Sequence, residues 1–214
     1  MSAEETPAAG PRPPQQERSR EALRRILAAA EELLRSEGPD AFTMAGVAER
    51  AGVSVGAVYR RFAGREELIN AVKDRLIDNL AAGLSAALAD ADTGLEGVVD
   101  AFVGAIVHGL SSGADVFPHL LSGKGGEAKQ ERTGRAVAVM QRLFLDAAGR
   151  HVGQVRRADP VTALTTVFRV VLGGCIHRML TVGTAPDGIS WPRWIEETSD
   201  MAFAYLTTPG RSRG

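Results

Sequence analysis

One cysteine, Cys175, stands in the whole chain. A single thiol excludes an intrachain disulfide and a zinc site of clustered cysteines, and it suits a reducing compartment. Uninterrupted apolar runs of membrane length, about 18 residues or more, are missing, so no segment is expected to span a bilayer. The opening MSAEETPAAGPRPPQQ has neither the basic nor the apolar region of a secretory leader, and the expected location is the cytoplasm. Neither charge is in excess: 25 Lys and Arg face 26 Asp and Glu, a net charge of −1. Bulk electrostatics therefore does not announce a nucleic-acid binder, and any basic surface has to be local. Strand-type alternation and internal repeats are absent. The 4 histidines are never four positions apart and have no ligand carboxylates near them, so no metal is expected. Gly123-Lys124-Gly125 lacks the surroundings of a phosphate loop, and no Ser/His/Asp order is found. Neither an enzyme nor a cofactor is expected.

What is present is helical. Of the 214 residues 44% are hydrophobic, enough for a sizeable core in one large or two small domains. Residues 1–16 carry four prolines and no period, and read as a disordered arm. The arginines nearby, Arg12, Arg18 and Arg20, offer a possible contact with a DNA backbone, against which Glu4 and Glu5 work. A first helix is expected over 17–37, with Leu23, Ile26, Leu27, Ala30, Leu33 and Leu34 as its apolar stripe. Gly38-Pro39 stops it.

Residues 43–65 hold the local pattern with the most chemical content. Thr43 caps a short helix whose apolar face is Met44, Val47, Ala48 and Ala51. Gly52 supplies a left-handed exit, and Ser54 caps the next helix, with Val58 and Phe62 inward. Two helices joined by a short turn containing a glycine form a helix-turn-helix, whose second helix enters the DNA major groove. A long helix from Arg65 to about Leu88 follows. Later helices are expected over 95–110, in a short piece at 115–121 broken by Pro118, and over 127–149. The last two are capped by Asp159 and Ser190 and run to Thr181 and Thr207. The tail at 209–214 should fray.

The run FTMAGVAERAGVSVGAVYRRFAGREELINAV resembles the DNA-binding signature of the TetR/AcrR family of bacterial transcription regulators. The likeness covers about 17–75 and rests on the Thr cap, the Ala-Gly-Val-Ser turn, Tyr-Arg-Arg-Phe and the basic-Glu-Glu-Leu start of the fourth helix. It implies an all-α, nine-helix architecture with an N-terminal three-helix DNA-binding domain. It further implies a C-terminal ligand-binding and dimerisation bundle over 76–208, whose eighth and ninth helices form a homodimer seam. A small-molecule effector would bind among helices four to eight and release a repressor from a palindromic operator. A DNA-binding regulator without such an effector is the other reading.

Within that frame Thr43 is both a cap and a phosphate contact at a helix start. Ser54, Val55, Gly56 and Ala57 form the exposed start of the recognition helix, the small residues allowing close approach to the bases. Val55 stands where relatives often carry Lys. Tyr59 is expected at a phosphate, with a half-buried core tyrosine as the alternative. Arg60 and Arg61 are the strongest charged candidates. One can read a guanine, and the other can hold phosphate or pair with Glu49. Arg65 matches the family's basic phosphate contact. For the effector, Phe102, Ile106, Phe117, Leu120, Met140, Phe144 and Phe168 converge if the bundle forms as implied. The plain alternative is a packed core, with His108, His119 and His177 near helix ends and Arg169 and Arg178 solvated. Gly173-Gly174 would admit a close partner helix, and Trp191, Trp194 and Tyr205 would add aromatic area at the seam.

Overall fold

The computed structural model describes residues 15–91, 94–112, 116 and 127–210, all helix and turn with no strand among them. Eight α-helices are described: α1 Gln15–Ala41, α2 Met44–Ala51, α3 Val55–Tyr59, α4 Arg65–Asp90, α5 Leu95–Ser111, α6 Glu127–Gly149, α7 Pro160–Thr181 and α8 Trp191–Thr207. A 3₁₀ turn over Val152–Gln154 joins α6 to α7. The expected short helix at 115–121 falls outside the described residues, Val116 excepted. The expected eighth and ninth helices are thus α7 and α8. Two compact units divide the chain, one up to Val72 and one from Lys73. Helix α4 begins in the first and continues in the second.

In the first unit local signals set the geometry. The helix of α1 is interrupted at Gly38, with φ 74°, a conformation that glycine adopts without steric cost. The chain turns there, and Phe42 is buried beside Ile26, Ala30, Leu33 and Leu34 in the unit's core. Gly52 ends α2 with φ 63°, and its N–H donates back to the carbonyls of Ala48 and Glu49. Val58 of α3 and Phe62 just beyond it are buried in the same core.

In the second unit α5 is the central element. It buries Leu95, Val98, Val99, Phe102, Val103, Ile106, Val107 and Leu110 and packs against α6, α7 and α8. Asp159 caps α7, its carboxylate accepting from the Thr162 N–H at 3.1 Å and the Thr162 hydroxyl at 2.6 Å. Those bonds favour the anion and hold the carboxyl below its ordinary range. By length and composition α7 is apolar enough to cross a membrane, with a window of mean hydropathy 1.3. Its buried Leu164, Val167, Phe168, Val171, Leu172, Cys175 and Met179 face the bundle, the composition of a core helix. Burial also raises the Cys175 thiol.

Candidate nucleic-acid interface

The two caps come first. Thr43 Oγ1 accepts from the Gly46 N–H at 3.0 Å, and Ser54 Oγ accepts from the Ala57 N–H at 3.2 Å. Both residues are exposed. A hydroxyl that accepts one bond keeps its own O–H, so each helix start still presents a donor to an anion.

On α3, Val58 points inward while Val55, Gly56, Tyr59 and Arg60 lie exposed, and Ala57 is half-buried. Tyr59 is 53% exposed, and its hydroxyl has no partner among the described residues. It is not a core tyrosine. The exposed face is therefore flat and small at Gly56 and Ala57, apolar at Val55, and armed at its far end by a phenol and a guanidinium.

Arg60 and Arg61, equivalent in the sequence, part company in the fold. Arg60 is exposed with no side-chain partner among the described residues. Arg61 is half-buried and held through both terminal nitrogens. Its Nη1 donates to the Ala57 carbonyl at 3.2 Å, and its Nη2 donates to the Ser19 hydroxyl at 3.0 Å and the Ser19 carbonyl at 3.4 Å. Neither arginine pairs with Glu49. Arg65 is likewise held: its Nε donates to the Phe42 carbonyl at 3.3 Å, and its Nη2 to the Pro39 carbonyl. Its guanidinium carbon sits 5.8 Å from the Phe42 ring centre. The group is thereby oriented beside the start of α2, with Nη1 left over. Glu67 accepts from the Ala63 N–H at 2.5 Å and closes the turn into α4. Arg25 donates to the Ala51 carbonyl at 3.3 Å, fixing α1 to the end of α2. Ser19 and Arg25 carry no sequence signal, because their partners lie 42 and 26 positions away.

The residues expected at an effector site divide. Phe102, Phe144 and Phe168 are fully buried and stack on one another, with ring centres 4.3, 5.6 and 6.5 Å apart. Ile106 is buried on α5. These residues converge as close-packed core. Among the described residues of the set, Met140 alone lines an apolar cavity of about 60 Å³, together with Ile77, Leu80, Leu110, Val137 and Leu172. The buried Lys73 also borders it. Phe117, Leu120 and His119 lie outside the described residues. His108, Arg169 and His177 are exposed.

Arg178 departs from the expectation of a solvated group. Only 4% of it is exposed. Its Nε and Nη2 grip both Asp187 oxygens at 2.9 and 3.1 Å, and Nη2 also donates to the Ile189 carbonyl. Its guanidinium carbon lies 4.2 and 4.9 Å from the ring centres of Trp191 and Trp194. The hydrogen bonds from Arg178 hold the Asp187 carboxyl down at about 2. The tryptophans thus enclose a cation that ties the α7–α8 connection to α7. Trp194 also lies over Gly174, where a Cβ would meet the indole at 3.8 Å, an ordinary van der Waals contact. A different part of α7 and α8 stays open. Thr166, Val167, Val170, Val171, Met201, Ala202 and Tyr205 line an apolar surface cleft of about 210 Å³.

The fold and site define an all-α protein with an N-terminal helix-turn-helix unit for DNA. Residues 26–72 match the family of bacterial regulatory proteins described as the tetR family. Residues 26–72 thus carry the N-terminal region by which that family is described. It is 38% identical over 86 residues to the HTH-type transcriptional activator FasR of Mycolicibacterium smegmatis. That alignment spans 39% of this chain and 39% of that relative, well under two thirds of its length. A TetR-family transcriptional regulator from Streptomyces coelicolor shares the fold at 27% identity, with a TM-score of 0.60, over 86% of this chain and 97% of that one. NalD of Pseudomonas aeruginosa, the secondary repressor of the MexAB-OprM multidrug efflux pump, shares it at 22% identity and a TM-score of 0.62. The match covers 88% of this chain and 97% of NalD.

Proposed function

We propose that the chain is a homodimeric transcriptional repressor that grips a palindromic operator through α2, α3 and the start of α4, and leaves it when a small molecule binds. Its task is binding rather than catalysis, and it works in the cytoplasm. The observation that carries the DNA reading is the exposed end of α3. Tyr59 and Arg60 stand out from the surface without partners among the described residues, beside a buried Val58 that fixes the helix. In this reading Tyr59 and Arg65 hold phosphates, Thr43 and Ser54 add hydroxyl contacts, and Val55, Gly56 and Ala57 approach the bases. Arg60 reads a base edge, the bidentate contact to guanine that an unengaged guanidinium can make. Two such helices need a dimer, and the apolar cleft on α7 and α8 supports one. Val170 and Met201 are both about half exposed there in the single chain.

A second reading has its own support. The stacked phenylalanines fill the centre of the bundle. The apolar cavity beside Met140, about 60 Å³, is far below the roughly 300 Å³ at which small-molecule sites begin. A regulator controlled by its abundance or by a protein partner would look like this. The relatives' names divide between an activator and a repressor, so the sign of regulation rests on experiment.

The test takes a DNA fragment that the wild-type protein retards in a gel and repeats the titration with Arg60→Ala. Loss of a base contact worth about 1–3 kcal/mol should weaken binding roughly 5- to 150-fold while the helical circular dichroism signal stays. Wild-type affinity in that variant would refute the assignment.

A further inference from the structure

Arg61 points to a DNA contact that the helix-turn-helix itself does not contain. Its side chain leaves the end of α3 and spends its donors inside the protein, on the Ala57 carbonyl and on both the hydroxyl and carbonyl of Ser19. Ser19 lies in the second turn of α1, so Arg61 fastens the start of α1 to the end of the recognition helix. Arg25 makes a second fastening one turn further on, to the Ala51 carbonyl beside the Gly52 turn. The two arginines hold α1 against both helices of the motif.

The residues on either side of Ser19 are Arg18 and Arg20. Both are exposed, and neither has a side-chain partner among the described residues. The other charged residues of this stretch are mostly committed. Arg24 pairs with Glu21, and Arg25 is used as above. Glu17 and Glu21 are the acids near Arg18, and Glu21 already carries Arg24. Two guanidiniums without partners among the described residues therefore flank Ser19, the residue of α1 that Arg61 holds. The charge is also missing elsewhere. The whole chain is at −1, α3 opens with Val55, Arg61 directs donors into the protein, and Arg65 keeps Nη1 for a phosphate. A large share of the affinity of such interfaces comes from phosphates neutralised by Lys and Arg, and the motif itself offers few free cations, so further ones beside it would add to its grip.

We propose that the first turns of α1 form a second DNA-backbone contact, in which Arg18 and Arg20 each hold a phosphate, and that Arg61 is a positioning residue that clamps this segment to the recognition helix. The inference rests on the DNA-binding reading above. It makes Arg61 different in kind from Arg60: one aims a neighbouring element, the other faces the groove.

The test uses the full chain and a random-sequence 30-base-pair duplex, since phosphate contacts act without regard to sequence. Fluorescence anisotropy gives the observed binding constant at several salt concentrations between about 50 and 200 mM. Each phosphate neutralised adds roughly 0.9 to the slope of log K against log salt. Arg18→Gln/Arg20→Gln should make that slope shallower by about 1.8. Arg61→Lys keeps the charge at 61 but cannot make the forked bonds to Ser19. It should weaken binding in the wild-type background and have little further effect in the Arg18→Gln/Arg20→Gln background. A slope unchanged by Arg18→Gln/Arg20→Gln overturns the proposal, as does an Arg61→Lys effect that is the same in both backgrounds. If the wild-type protein shows no salt-dependent binding to the duplex, the DNA-binding reading itself fails.

Discussion

At the scale of the residue, the fold separates arginines that the sequence presents as alike. Arg60 is free toward solvent, Arg61 is a clasp, Arg65 is oriented by two carbonyls, and Arg178 is buried between two indoles. A guanidinium can play all four parts because it offers five donors in a rigid plane with faces that stack on aromatics. Arg178 carries a consequence for pH. Its partner Asp187 has a carboxyl pKa lowered from the ordinary value of 3.8 to about 2 in the folded protein. A carboxyl depressed by folding contributes stability that is complete above its unfolded pKa and is lost as pH falls through the folded one. Thermal unfolding should therefore drop between about pH 4 and pH 2 more steeply in the wild type than in Asp187→Asn. The variant should unfold at a lower temperature than the wild type at pH 7, because Arg178 is left buried without its counter-charge. Parallel pH profiles for the two proteins would contradict this role. None of it was legible in the sequence. An arginine near a helix end reads as solvated, and nothing local says that residues thirteen and sixteen positions later will cover it.

Elements were far more legible, because their ends are set by local chemistry. Thr43, Ser54, Asp159 and Ser190 each cap the helix that their position announces, each accepting from the N–H three residues on. Gly38 and Gly52 take the positive φ that a stop requires. The recognition helix is shorter than its apolar spacing suggests. It ends at Tyr59, and Phe62 reaches the core from the turn beyond. What spacing could not separate was a cavity wall from a packed core, since an aromatic stripe serves both. How α4 meets α5 was equally hidden. A Cβ built at Gly109 would overlap Leu80 Cδ1, so the leucine seats in the notch that the glycine leaves. Gly109→Ala should destabilise the protein by about 1 kcal/mol, the low end of overpacking costs, because Leu80 borders the small cavity and can move into it. Urea unfolding measures this. A loss of more than about 3 kcal/mol would mean that the cavity gives no such room.

At the scale of the whole molecule, one helix-turn-helix is a small grip, and the cleft on α7 and α8 is where the proposed second copy would pack. Its apolar lining, with Tyr205 at one end beneath Arg157 at 4.3 Å, suits a second copy of the same surface, as two-fold symmetry requires. The all-α architecture, with eight α-helices among the described residues, was legible because helical period and caps recur along the chain. The proposed seam came only from family likeness, since a half-exposed valine such as Val170 looks the same in sequence as a buried one. The central claim is that two copies of α3 read DNA together, and in vitro selection from a random duplex pool tests it most directly. The full-length protein should enrich an inverted repeat whose half-sites are centred about one helical turn apart, 10–10.5 base pairs, or a multiple of it. Arg60→Ala should lose that enrichment, and Val170→Arg/Met201→Arg should break the two-fold repeat. Failure to enrich any sequence, or enrichment of a single asymmetric site indifferent to Arg60, would contradict the claim.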